Sequence, residues 1–171
     1  MCSRLVLVVF ALFGASMAQA AVKQAAPDGF QIEHRFLLAA APAQAWATLG
    51  QPARWWPKDH TWSGDAANLR LDLTLGACFC ERWKGGGAEH GRVIMLRRHE
   101  LLRLSAALGP LQDMAVSGVL SVALAAKDNG TEATVTYRVS GTSTHALDKI
   151  APAVDRVIGQ QFGGWAAYHG D

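Results

Sequence analysis

The sequence predicts an α+β fold in which one antiparallel sheet covers a single long C-terminal helix. Residues 147–168 carry the first sign: Ile150, Val154, Val157, Ile158, Phe162 and Trp165 recur at helical spacing and make one apolar stripe. A helix of about twenty residues is about 30 Å long, enough to cross a small domain. The second sign is that most of the preceding chain reads as short strands divided by turn residues. Strands that follow one another without intervening helices pair antiparallel, as a meander does. The third is that only two short helical stretches interrupt the strands, both after the first one.

Residues 1–20 stand apart from this fold. Arg4 supplies a positive start, residues 5–13 an apolar core, and Ala18-Gln19-Ala20 a small-residue cleavage site. The apolar run is shorter than the roughly twenty residues a membrane span needs. A cleavable signal peptide is therefore expected, with the mature chain in the periplasm or outside the cell and no membrane segment left in it. Residues 21–29 are small and polar and read as a flexible lead-in, and 30–169 as one domain. Loss of residues 1–20 removes only Arg4 among the charged residues and leaves a net charge of about +1. That balance, with no basic run interleaved with aromatics, argues against a nucleic-acid partner.

Taken in order, Phe30, Ile32, His34 and Phe36 alternate with polar residues and predict a strand. Pro42 opens a helix of about two turns that Gly50 closes. Pro52 opens a second short helix bearing Trp55 and Trp56, which Pro57 ends. Leu69, Leu71, Leu73 and Leu75 predict a half-buried strand. After Gly76, a strand places Phe79, Glu81 and Trp83 on one face and Cys78 and Cys80 on the other. Gly85-Gly86-Gly87 is a turn. Two strands follow over 90–96 and 101–104, and two more over 116–125 and 132–140. Asp128-Asn129-Gly130 joins the last pair and is the strongest hairpin signal in the chain. About seven strands result.

The order of elements, with several short stretches, resembles a known superfamily. The stretches are Ala40-Ala41-Pro42-Ala43-Gln44-Ala45-Trp46, Trp55-Trp56-Pro57, Gly76 followed by Phe79 and Glu81, and His90-Gly91-Arg92-Val93. Leu102-Arg103-Leu104, Gly130-Thr131 and Tyr137-Arg138-Val139-Ser140-Gly141 continue the series. Residues 30–168 are similar to the SRPBCC superfamily: START-like, polyketide cyclase/dehydrase and birch-pollen-allergen-like helix-grip proteins. The branch of bacterial homologues of activators of the heat-shock chaperone ATPase is nearest. The resemblance implies a curved sheet wrapped round the C-terminal helix, a cavity between them that takes lipids or other hydrophobic molecules, and in some members a reaction. It carries over no catalytic residue, because the superfamily shares none.

Glu81 shares its strand face with Phe79 and Trp83. On the concave side its carboxylate would meet low dielectric, which raises a carboxyl pKa, and could hold a polar ligand group or act as a general base. The plainer reading is a structural ion pair with an arginine. His90 follows across the glycine turn, either as a partner to Glu81 or as a hydrogen-bonded structural histidine. Trp55, Trp56 and Trp62 either wall a ligand or plug the open end of the sheet. Phe79, Trp83, Ile158, Phe162 and Trp165 complete the expected ligand contacts. Gly163-Gly164 offers a bend that would bring Trp165 to the cavity's end. Cys78 and Cys80, with Cα atoms about 7 Å apart in a strand, suit packing, a bridge or metal binding, but lack the further ligands a structural zinc site needs.

No nucleophile elbow, metalloprotease helix, phosphate loop or dinucleotide fingerprint occurs, so no cofactor and no metal are expected. The leading expectation is a non-enzymatic binder of a hydrophobic small molecule or lipid. The alternative is a cyclase- or hydrolase-like enzyme with Glu81 and His90 as acid and base. An interaction module, as the chaperone-activator likeness suggests, fits poorly with export, since that chaperone is cytosolic.

Overall fold

The computed structural model describes residues 22–168; the expected signal segment at 1–20 lies outside them. The fold is α+β. Eight strands form one antiparallel sheet in the order β1-β2-β8-β7-β6-β5-β4-β3. They are β1 Val22–Ala26, β2 Gly29–Leu38, β3 Leu69–Leu71, β4 Cys78–Trp83, β5 Gly86–Arg97, β6 Leu101–Ser105, β7 Ser117–Lys127 and β8 Gly130–Ser140. Helices α1 (Pro42–Leu49) and α2 (Pro52–Trp55) follow β2, and α3 (Leu147–Ala167) ends the fold.

Three expectations need correction. Part of the lead-in at 21–29 is ordered as β1, which pairs with β2 and brings the sheet to eight strands. Its polar residues give no strand signal because its hydrogen bonds come from β2 and its packing from α3. The leucine strand at 69–75 stops at Leu71. Beyond it the Thr74 N–H bonds the Asp72 carbonyl, and the turn leaves Leu75 72% exposed.

Elsewhere local chemistry and structure agree. Pro42 and Pro52 sit in the first turns of α1 and α2, where a missing N–H leaves no bond unmade. Asp128 and Asn129 form the β7–β8 turn, Asp128 with a φ of 45°, and Gly130 opens β8. A Cβ on Gly130 would stand 2.2 Å from the Leu38 carbonyl oxygen, so only glycine lets β8 approach the end of β2 this closely.

Helix α3 lies against β2 and β1, and its stripe divides. Ala151, Ile158, Phe162 and Trp165 are buried in the core, together with Ile32, Leu120 and Tyr137 from the sheet. Asp155, also buried, places Oδ1 2.8 Å from His34 Nε2 on β2. That is ion-pairing distance, and neither atom makes a hydrogen bond among the described residues. The helix runs unbroken through Gly163-Gly164. Instead of making a bend, Gly164 admits α2: a Cβ there would come within 2.7 Å of the Trp55 carbonyl oxygen.

Candidate functional site

The site begins with a break in strand register. Phe79 on β4 pairs with Gly91 on β5, and Cys80 pairs with Glu89, so β5 carries one extra residue, His90. Val93 faces the core, and strict alternation back from it would put Gly91 inward and His90 outward. A bulge sets two residues against one and releases the extra one from alternation. His90 thereby turns inward, 5.0 Å from Phe79 between ring centroids. Gly91 completes the arrangement, since a Cβ there would lie 2.8 Å from the Ala106 Cβ.

Glu81 is fully buried, at 0% exposure. It accepts hydrogen bonds from the Trp62 N–H at 3.0 Å, from the Ser63 N–H at 2.5 Å and from His90 Nε2 at 3.0 Å. Burial pushes its carboxyl up, but hydrogen bonding by Ser63, Trp62 and His90 outweighs burial and holds it below the ordinary carboxylate value. The expectation of a raised carboxyl is thus reversed, because the backbone of 62–63 folds over Glu81 and supplies donors. Glu81 also lies one layer behind the cavity wall. His90 is the member of the pair that faces the cavity. With Nε2–H held by Glu81, its Nδ1 has no partner among the described residues.

The cavity has a volume of about 440 Å³, within the roughly 300–1,000 Å³ of small-molecule sites. One wall is the outer half of the α3 stripe, Ile150, Val154 and Val157, with Ile158 at its border with the core; another is the 108–114 loop, through Leu108, Leu111 and Met114. Trp56, the turn at 59–62 and His90 close the polar end. The Trp56 Nε1–H bonds the His60 carbonyl at 3.0 Å and fixes that turn. The loop wall is fixed by Tyr137, whose hydroxyl donates to the Ala106 carbonyl at 3.1 Å and accepts from the Leu108 N–H at 3.0 Å. Burial pushes that phenol up to about 12, so it keeps the proton it donates.

Of the residues expected at a ligand, Trp56, Trp62, His90 and Ile158 line this cavity. Phe79 and Phe162 do not; they border a separate apolar void of about 10 Å³ in the core. Trp55 and Trp165 are core anchors on α1: Trp55 Nε1–H bonds the Thr48 carbonyl at 2.8 Å, and Trp165 Nε1–H bonds the Thr48 hydroxyl at 3.0 Å. Trp83 is misplaced by the expectation. It stands at the β4 hairpin tip, 37% exposed, with its ring over Gly86. Asp59 and His60, adjacent in sequence and not among the expected ligand contacts, both line the cavity. Gln161 also lines the cavity, outside the expected ligand contacts, and continues the Val154, Val157, Ile158 spacing as the one polar residue on that face. The 108–114 loop carries no periodicity that could have announced it.

Cys78 and Cys80 are joined as a disulfide, with Cα atoms 5.3 Å apart. Glu89 lies close enough to share a metal ion with two free thiolates. In this form the sulfurs are committed to each other, and Glu89 is paired with Arg92.

No protein-family model matches the chain, and no curated protein matches it. Solved structures do. A Chromobacterium violaceum protein is 18% identical, with a TM-score of 0.58 over 82% of this chain and 98% of its own. A Rhodobacter sphaeroides protein is 19% identical, with a TM-score of 0.58 over 84% of this chain and 92% of its own. A Nitrosomonas europaea protein is 18% identical, with a TM-score of 0.56 over 84% and 94% respectively. All three are structural-genomics targets, and at such identities the likeness is one of fold: this chain shares their α+β architecture over most of its length.

Proposed function

We propose that this protein is a helix-grip member of the SRPBCC superfamily that holds a hydrophobic small molecule or lipid between the sheet, α3 and the 108–114 loop. The observation that carries the reading is the cavity of about 440 Å³, walled mainly by apolar side chains and ending at His90. Native mass spectrometry of the purified protein tests it. The expected result is a bound species that organic extraction removes; a protein that neither retains nor takes up any apolar compound refutes the reading. Export belongs to the same proposal. Cleavage after Ala20 leaves β1, which starts at Val22, whole, and intact mass of secreted material checks that site.

The His90–Glu81 pair favours a second reading, a cyclase- or hydrolase-like enzyme on a hydrophobic substrate. His90 Nδ1 would move the proton while Glu81 holds the ring in one tautomer and orientation. If so, His90→Phe abolishes turnover, and Glu81→Gln lowers kcat more than it raises KM. Binding without turnover by the unaltered protein leaves the carrier reading standing alone.

A further inference from the structure

We propose that the cavity selects a neutral ligand bearing a hydroxyl at one end of an apolar body, over a carboxylate of the same shape and over the plain hydrocarbon. The proposal rests on reading the cavity as a ligand site, and it follows from which polar groups the wall presents.

The ionisable groups on the wall are Asp59, His60 and His90; among the described residues that line it there is no lysine or arginine. A carboxylate taken into such a space finds no fixed cation, and an unpaired buried charge is among the costliest groups to desolvate. His90 does not repair this. Its Nε2–H is already engaged by Glu81 at 3.0 Å, so a ligand carboxylate would be the second acid around one imidazole, with Asp59 a third on the same wall. Like charges so placed oppose one another. An anionic amphiphile such as a fatty acid is therefore a poor fit.

A pure hydrocarbon is a poor fit for the opposite reason. Gln161 is 4% exposed and lines the cavity. Its Oε1 is buried without a partner, and its amide makes no hydrogen bond among the described residues. A buried amide left unpaired is penalised, and so is an apolar ligand that covers it without answering it. His60 Nδ1 is likewise buried and without a hydrogen-bond partner among the described residues. A hydroxyl both donates and accepts. It can donate to His90 Nδ1 from the sheet side or exchange a bond with the Gln161 amide from the helix side, and it brings no charge with it. The apolar body then lies along Leu111, Met114, Val154 and Val157. The polar end sits against Trp56 and the 59–61 turn, and an aromatic or alicyclic ring beside the alcohol suits that indole wall.

The test uses three probes of one shape: para-cyclohexylphenol, para-cyclohexylbenzoate and cyclohexylbenzene, titrated calorimetrically into the purified chain at neutral pH. The phenol is expected to bind about tenfold more tightly than either of the others. Gln161→Leu brings the phenol-to-hydrocarbon ratio toward one, with a thermal melt to check folding. The ranking on the unaltered protein stands without the variant. Equal affinity for phenol and hydrocarbon, or a benzoate that binds best, overturns the proposal while leaving a ligand site in place. Failure of all three probes to bind overturns the ligand site as well.

Discussion

Glu81 keeps a charge at zero exposure because donors from Trp62, Ser63 and His90 reach it. Its folded value lies below the ordinary 4.5, so between those two values the folded state binds fewer protons than the unfolded chain. The resulting stabilisation is complete above the ordinary value and is lost as pH falls through the lower, folded one. Glu81→Gln is expected to flatten that acid-side loss. At neutral pH the same change costs about 1–3 kcal/mol, because two backbone N–H groups then share a weaker acceptor. Urea denaturation across pH, run on both proteins, reads both effects. Sequence alternation placed Glu81 on one strand face with Phe79, and both are buried. The sequence also offered His90 as a partner, but it could not show the two backbone donors, Ser63 and Trp62, which come from 18 and 19 positions away.

Helix α3 and the β4–β5 hairpin decide where chemistry sits at the next scale. Gly163 and Gly164 are adjacent in sequence, yet their surroundings differ sharply. A Cβ at Gly163 meets only Phe36, at an ordinary 3.9 Å, whereas one at Gly164 meets the Trp55 carbonyl oxygen at 2.7 Å. Gly163→Ala should therefore stabilise the protein by about 0.5–1 kcal/mol through helix propensity. Gly164→Ala should destabilise it by about 1–3 kcal/mol as α2 is pushed away. Thermal melts of the two variants check the opposite signs; equal effects would show that α2 does not press on the helix. The bulge at His90 belongs to this scale too. It inverts the facing of one residue, and no pattern in 86–97 foretells it because the pairing partner sets the register.

For the whole molecule, the cavity lies between α3, the 108–114 loop and the 59–62 turn, and the sheet reaches its wall through His90. A ligand that binds only the folded state stabilises it by mass action, about 2.7 kcal/mol at a hundredfold excess over Kd. Extracting a bound ligand should lower the melting temperature and shift Trp emission. Trp62→Phe should blunt the shift, since Trp62 is half exposed on the cavity wall; an unchanged shift would move the signal to Trp56. The α+β class, the two proline-started helices, the β7–β8 hairpin and the long terminal helix are legible in the sequence alone. Each of these is written in local chemistry: side-chain periodicity, turn residues and the missing N–H of proline. Tertiary packing sets which half of the α3 stripe is core and which is cavity wall. It also withdrew Trp55 and Trp165 into the core, placed Glu81 behind His90 and recruited β1, Gln161 and the 108–114 loop. Those outcomes depend on which distant segments meet, and local sequence does not encode the facing of a residue whose neighbours lie far along the chain.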